Sequence, residues 1–219
     1  MNVLLLLIAS FFVLSEDIVI ENARFALTVG GDARVKSLKL KATGEELLDL
    51  RDPTPLFAVT QPRPYNNEIK LVHPNVRTTY PANRLRREGD SLVVGFETAP
   101  YEAVVDLKVT DDYVTFTLKD FTVTEKSYPL CPTTTKPLDF TAPPVDEFRL
   151  VQLPVRDRAN FGAWMNVIWD EEAAVGVFST SEHALVAADR RNGYRLMGAD
   201  ADRRVQLRGT GAALVVDCS

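Results

Sequence analysis

The sequence predicts an all-β protein: a large antiparallel β-sandwich with little helix. Two observations predict it. Short runs alternate apolar and polar residues between Ile18 and Asp217, and turn residues separate them, with no long stretch holding a helical period. Side chains of a strand point to opposite sides with period two, so such runs are half-buried strands. Many in series make a sandwich or a barrel.

The clearest pair comes mid-chain. Tyr101, Ala103, Val105, Leu107 and Val109 face one way; Glu102, Asp106 and Lys108 face the other, with Val104 the one lapse. After an Asp111-Asp112 turn, Val114, Phe116 and Leu118 alternate with Thr115, Thr117 and Lys119. Upstream, Phe25, Leu27 and Val29 precede a Gly30-Gly31-Asp32 turn, and Leu38 and Leu40 precede Thr43-Gly44-Glu45; this is a meander from Ile18 to about Leu50. Residues 51–84 carry many prolines, which remove ladder donors, so short strands at Leu56–Thr60 and Glu68–His73 lie among edges and loops. Arg84–Glu88 and Leu92–Thr98 then flank a Gly89-Asp90 turn. Tyr128 to Pro144 reads as a long crossover loop, a linker between two domains being the alternative. Strands resume at Phe148–Leu153, Ala163–Trp169, Ala174–Ser179, Ala184–Asp189, Tyr194–Ala199, Arg203–Leu207 and Ala213–Val216. Asn192-Gly193 is the strongest hairpin signal, because a type I′ turn wants positive φ at both positions.

Composition bounds the function. At 219 residues with 46% hydrophobic and 25% charged content, the chain fits one large all-β domain or two small ones. Net charge is −5 with basic residues scattered, whereas nucleic-acid binding needs a basic stripe. Val3 to Leu14 is apolar and uncharged, followed at once by Glu16-Asp17, and Val13-Leu14-Ser15 suits a cleavage site. Residues 1–15 therefore read as a secretory signal peptide, leaving a domain over 16–219 in a secreted or periplasmic protein; because Met1-Asn2 carries no positive charge, a buried first strand or an interfacial anchor is the other reading. The apolar run is shorter than the roughly 20 residues a membrane helix needs, so no membrane span is expected. Cys131 and Cys218 either pair, closing a loop worth about 4 kcal/mol in the chain-entropy model, or stay free thiols. With His73 and His183 the only histidines, no metal set and no cofactor are expected.

Few residues point to catalysis. There is no G-x-S-x-G, no cysteine beside a base and no glycine-rich phosphate cradle. His73 and His183 are the weak catalytic candidates, both at strand ends. Asp170-Glu171-Glu172 reads as a solvated hairpin turn, and Asp49, Asp52 and Glu68 have no special context. Aromatics are more suggestive, because sugar rings have apolar faces that flat side chains cover. Trp164 and Trp169 lie an odd number of positions apart, so on a regular strand they point to opposite faces. Trp169 aligns with Met165 and Val167 and is the core candidate. Trp164 shares a face with Asn166, and these two are the ligand candidates, joined by Tyr65 and Tyr80 in the loops; ordinary rim and loop packing is the other reading.

Two stretches carry a family resemblance. Ile20-Glu21-Asn22-Ala23-Arg24-Phe25-Ala26-Leu27-Thr28-Val29, leading through Val35-Lys36-Ser37-Leu38 to Thr43-Gly44-Glu45-Glu46-Leu47-Leu48, is one; Trp164 to Ser181 with Leu214-Val215-Val216 is the other. Together they resemble the galactose-mutarotase-like supersandwich domains that precede catalytic domains in glycoside hydrolases and polysaccharide-active enzymes. The resemblance implies a non-catalytic domain of a carbohydrate-active enzyme, packed on a following catalytic domain and touching an oligo- or polysaccharide. An aldose 1-epimerase and a free-standing carbohydrate-binding module are the alternatives.

Overall fold

The computed structural model describes residues 16–60, 79–96, 101–123, 145–202 and 207–218, with the backbone of 65–66, 71–72, 127–128 and 138–139. The expected leader, His73, Glu68, Cys131 and most of the strand expected over Arg203–Leu207 lie outside the described residues. Every regular element described is a strand. No helix among the described residues is long and apolar enough to cross a membrane.

Strands are numbered along the chain. β1 (Ile18–Glu21), β2 (Phe25–Val29) and β3 (Val35–Leu40) form a three-stranded meander. After β4 (Ala58–Thr60), β5 (Tyr65–Asn66) pairs with β6 (Leu71–Val72). Then come β7 (Thr79–Pro81), β8 (Arg84–Glu88), β9 (Ser91–Phe96), β10 (Tyr101–Val109) and β11 (Tyr113–Val123). β12 (Ser127–Tyr128) pairs with β13 (Leu138–Asp139). The last third holds β14 (Glu147–Arg156), β15 (Asn160–Gly162), β16 (Val167–Trp169), β17 (Ala174–Ser179), β18 (Ala184–Arg190), β19 (Tyr194–Asp202) and β20 (Gly211–Asp217).

Two larger sheets face each other. One has eight strands in the order β15-β16-β17-β20-β11-β10-β9-β8; the other has five, β18-β19-β14-β4-β7. All described pairings within them are antiparallel. Aromatic rings weld the layers. Phe148 of β14 and Phe57 beside β4 have centroids 6.2 Å apart, and Phe148 meets Phe96 of β9 at 6.4 Å and Phe121 of β11 at 6.1 Å, both edge-on. One hydrophobic cluster runs from these rings to Leu27 and Leu38 of the small meander and Val177 and Leu214 of the large sheet. The β-sandwich expected from the alternation is the observed architecture.

The alternation works as anticipated in β10, where Tyr101, Ala103, Val105 and Leu107 are buried; Val109, beyond the covered face, is exposed. Across from it Val104 pairs with Asp120 and Val105 with Leu118, leaving Lys119 as the extra residue of a β-bulge. The bulge shifts the parity by one, so Phe121 returns to the buried face.

Two expectations need correction. Ala163–Trp169 is not one strand: Ala163–Asn166 is a turn and only Val167–Trp169 is extended. Asn166 adopts φ 50°, which reverses the chain and resets the parity, so Ile168 is buried and Trp169 is 38% exposed. Trp169 is thus not the core residue. Asn192-Gly193 does close the β18–β19 hairpin, with the Arg191 N–H on the Tyr194 carbonyl at 2.8 Å. Only Gly193 (φ 86°) has positive φ, so the turn is not type I′ but has the positive φ at its second central residue that marks type II.

Candidate functional site

The hairpin β15–β16 pairs Asn160 with Trp169, Phe161 with Ile168 and Gly162 with Val167. Its turn is held by Asn166. Asn tolerates the left-handed region better than other non-glycine residues. Here its Nδ2 donates to the Val177 carbonyl at 2.9 Å, and the Val177 N–H donates back to the Asn166 carbonyl at 3.2 Å. Asn166 is 1% exposed, and its Oδ1 is buried with no hydrogen-bond partner. Trp164, two residues earlier, is 99% exposed. The expected shared face of Trp164 and Asn166 does not exist, because a turn and not a strand joins them. Asn166 positions the turn, and Trp164 alone is presented.

The base of the hairpin is clamped. Arg158, whose side chain is 5% exposed, places Nη1 at 2.8 and 2.7 Å from the two Asp170 oxygens and Nη2 at 2.6 Å from Glu45 Oε1. Arg158 enters the hairpin and Asp170 leaves it, so the fork joins its two ends and ties both to the turn after β3. Asp170 Oδ1 also accepts the N–H groups of Glu172 and Ala173. Those two backbone donors first, and Arg158 after them, hold the Asp170 carboxyl below the usual carboxylate range. Asp170-Glu171-Glu172 is a turn as expected, but Asp170 is a structural anchor within it. Higher up, the Arg195 guanidinium lies 4.0 Å from the Phe161 ring centre, with Nε 3.2 Å from Asp157 Oδ1. The Trp169 ring lies along Gly162, where an added Cβ would sit 3.3 Å from it. The hairpin is therefore a stiff arm, and its tip is a free indole.

The other candidates lie apart. Tyr80, in β7, is partly buried against the core, and burial pushes its phenol up. Tyr65 has its backbone in β5. His183 precedes β18, with Nε2 3.6 Å from Glu182 of its own turn and Nδ1 buried without a hydrogen bond. Among the described residues, donors hold Asp49 below its ordinary range through the Arg51 side chain, Asp106 through the Ser91 hydroxyl, and Asp170 as above. That is the reverse of what a general acid needs. Asp52 accepts the Tyr194 hydroxyl at 2.8 Å. Among the described residues no cluster of three or more His, Cys, Asp or Glu side chains suits a metal ion.

Sequence reasoning missed a groove of about 370 Å³ on the outer face of β8, β9 and β10, lined by Arg84, Arg86, Val93, Gly95 and Glu102. Arg84 lies so close over Gly95 that a Cβ there would come 2.9 Å from its Nε. A glycine inside a strand pattern is the signal that marks such close approach.

No family model matches the chain, and no curated protein matches it. Among solved structures it is similar to a GH31 family sulfoquinovosidase from E. rectale, in complex with an aza-sugar inhibitor, at a TM-score of 0.34 and 10% identity. The overlay covers 92% of this chain and 32% of that one, so the chain spans about a third of that enzyme's length. The functional reading rests on this chain's own residues.

Proposed function

We propose that this chain is a non-catalytic β-sandwich domain of an exported carbohydrate-active enzyme, one that supports a following catalytic domain and contacts an oligo- or polysaccharide through Trp164. The carrying observation is the indole itself. Burying a side chain of that size would stabilise the fold by about 1.5–3 kcal/mol or more, yet it stands in solvent on a braced turn. A flat apolar ring at the end of a rigid arm suits the apolar face of a pyranose, and rigidity keeps the ordering cost of binding small. The resemblance to supersandwich domains supports the association with a glycoside hydrolase.

The same tryptophan suits a free-standing carbohydrate-binding module. An epimerase would need an acid and an imidazole across a sugar ring, and His183, whose near carboxylate belongs to its own neighbour, does not favour one. Titration of the chain with a broad glycan panel tests the proposal. Binding that Trp164→Ala abolishes, with no turnover of aryl glycosides, is the expected outcome. Absence of binding across the panel, or binding untouched by the substitution, would refute the sugar contact.

A further inference from the structure

Sheet edges expose unpaired backbone groups, and proteins guard them. This one guards most of its edges visibly. β8 reads Arg-Leu-Arg-Arg-Glu. β7 is three residues long and ends on Pro81; β15 is also three residues long. On β1, the Arg87 guanidinium donates to the Val19 carbonyl at 3.3 Å. β3 is covered by bridges from Pro55 to Arg34 and from Glu46 to Lys39. β18 differs: it is seven residues long, runs Ala-Leu-Val-Ala-Ala before its first charge, and has β19 as its one sheet neighbour among the described residues. Leu185 on it is 56% exposed.

The direction of its free groups follows from the register. Arg191 donates to Tyr194 at the hairpin end. Counting back along the unbroken pairing, Asp189, Ala187 and Leu185 bond to β19, while Val186, Ala188 and Arg190 turn their N–H and C=O groups to the open edge; Ala184 turns only its C=O there, because its N–H donates to the Ser181 carbonyl at 3.4 Å.

We propose that β18 pairs with β18 of a second copy of this chain, antiparallel, with Val186 on the two-fold axis, joining two five-stranded sheets into one. The flanking charges select that partner and that register. With Val186 on the axis, Leu185 lies opposite Ala187, and the turn that carries Glu182 and His183 just ahead of β18 in one copy comes beside Asp189 and Arg190 of the other, opposite charge to opposite charge. Centring on Ala187 instead sets Leu185 against Asp189. In the single chain these charges are weakly engaged: Arg190 lies 4.0 Å from Asp157, Asp189 lies 4.0 Å from Arg191, and Glu182 lies 3.6 Å from His183. A symmetric strand pair uses each complementary contact twice.

The test is sedimentation velocity of the full chain over a concentration series, with three variants. Val186→Pro removes an outward N–H without touching the β19 ladder. Leu185→Lys leaves the backbone intact and places a charge on the edge. Arg190→Glu sets like charges together, and Glu182→Arg added to it restores the pair. The expected result is a dimer for the parent chain, loss of dimer for the first two variants, weakening by Arg190→Glu and recovery in the double variant. In the parent dimer the Val186 and Ala188 amides exchange slowly. A parent chain that stays monomeric, with or without those amides protected, overturns the proposal; so does a dimer that survives both Val186→Pro and Leu185→Lys.

Discussion

Two hairpins of this molecule end in tips that solve opposite problems. At β18–β19 the tip is tied down. Arg51 lays its guanidinium over the Tyr194 ring, donates to the Asn192 carbonyl at 2.5 Å and grips Asp49, while the Tyr194 hydroxyl reaches Asp52. At β15–β16 the base and middle are tied down by Arg158 and Arg195, but the tip is left bare, with Trp164 in water. The first uses polar contacts to finish the fold. The second uses them to hold out a side chain that the fold does not need.

Removal of each brace separates the two most strongly. Arg158→Ala strands Asp170 and Glu45 next to a buried gap and is expected to cost about 2–3 kcal/mol, read from chemical denaturation. Arg51→Ala, on the solvent side of the other tip, is expected to shift the midpoint far less.

The turn residues give the next contrast. Asn166→Ala loses the bond to Val177 and puts alanine at φ 50°, with an expected cost of roughly 1–3 kcal/mol. Asn166→Gly loses the same bond but relieves the strain, so it is expected to fall between the parent and Asn166→Ala. Gly193→Ala, at φ 86° and close to Arg51, is expected to cost about 1 kcal/mol.

Titration moves the tips in different directions. The folded Asp170 carboxyl sits below its ordinary 3.8, so its contribution is present above that value and is lost as pH falls through the lower folded value. The Tyr194 phenol is raised above 10.0, first by its hydrogen bond to Asp52, so its contribution is full below 10.0 and is lost as pH rises through the folded value. Tryptophan fluorescence is expected to report acid loosening of the β15–β16 hairpin, and phenolate absorbance to report delayed ionisation at β18–β19. The smallest effect belongs to Trp164→Ala, within about 0.5 kcal/mol of the parent in stability.

What could be read from the sequence follows from how local each cause is. The β10–β11 pair is written in residues two apart, so alternation alone reveals it. Even the bulge has a trace: Phe121 follows Leu118 by three positions where two would keep the period. The Trp164 turn left a false trace. Phe161, Ala163, Met165 and Val167 alternate as a strand would, and the one contrary signal is Asn166, a residue at ease with positive φ. The clamp was invisible because its partners are distant: Glu45 meets Arg158 only once the small meander docks. The prominence of Trp164 was legible as residue type, but not its separation from Asn166, which depends on one dihedral.

The most direct measurement uses the fact that the chain has two tryptophans. Their two indole N–H resonances, assigned with Trp164→Phe, are followed while an oligosaccharide identified by panel screening is added. The Trp164 signal is predicted to move and saturate while that of Trp169 stays in place. Saturable binding that leaves the Trp164 resonance unmoved would contradict the account.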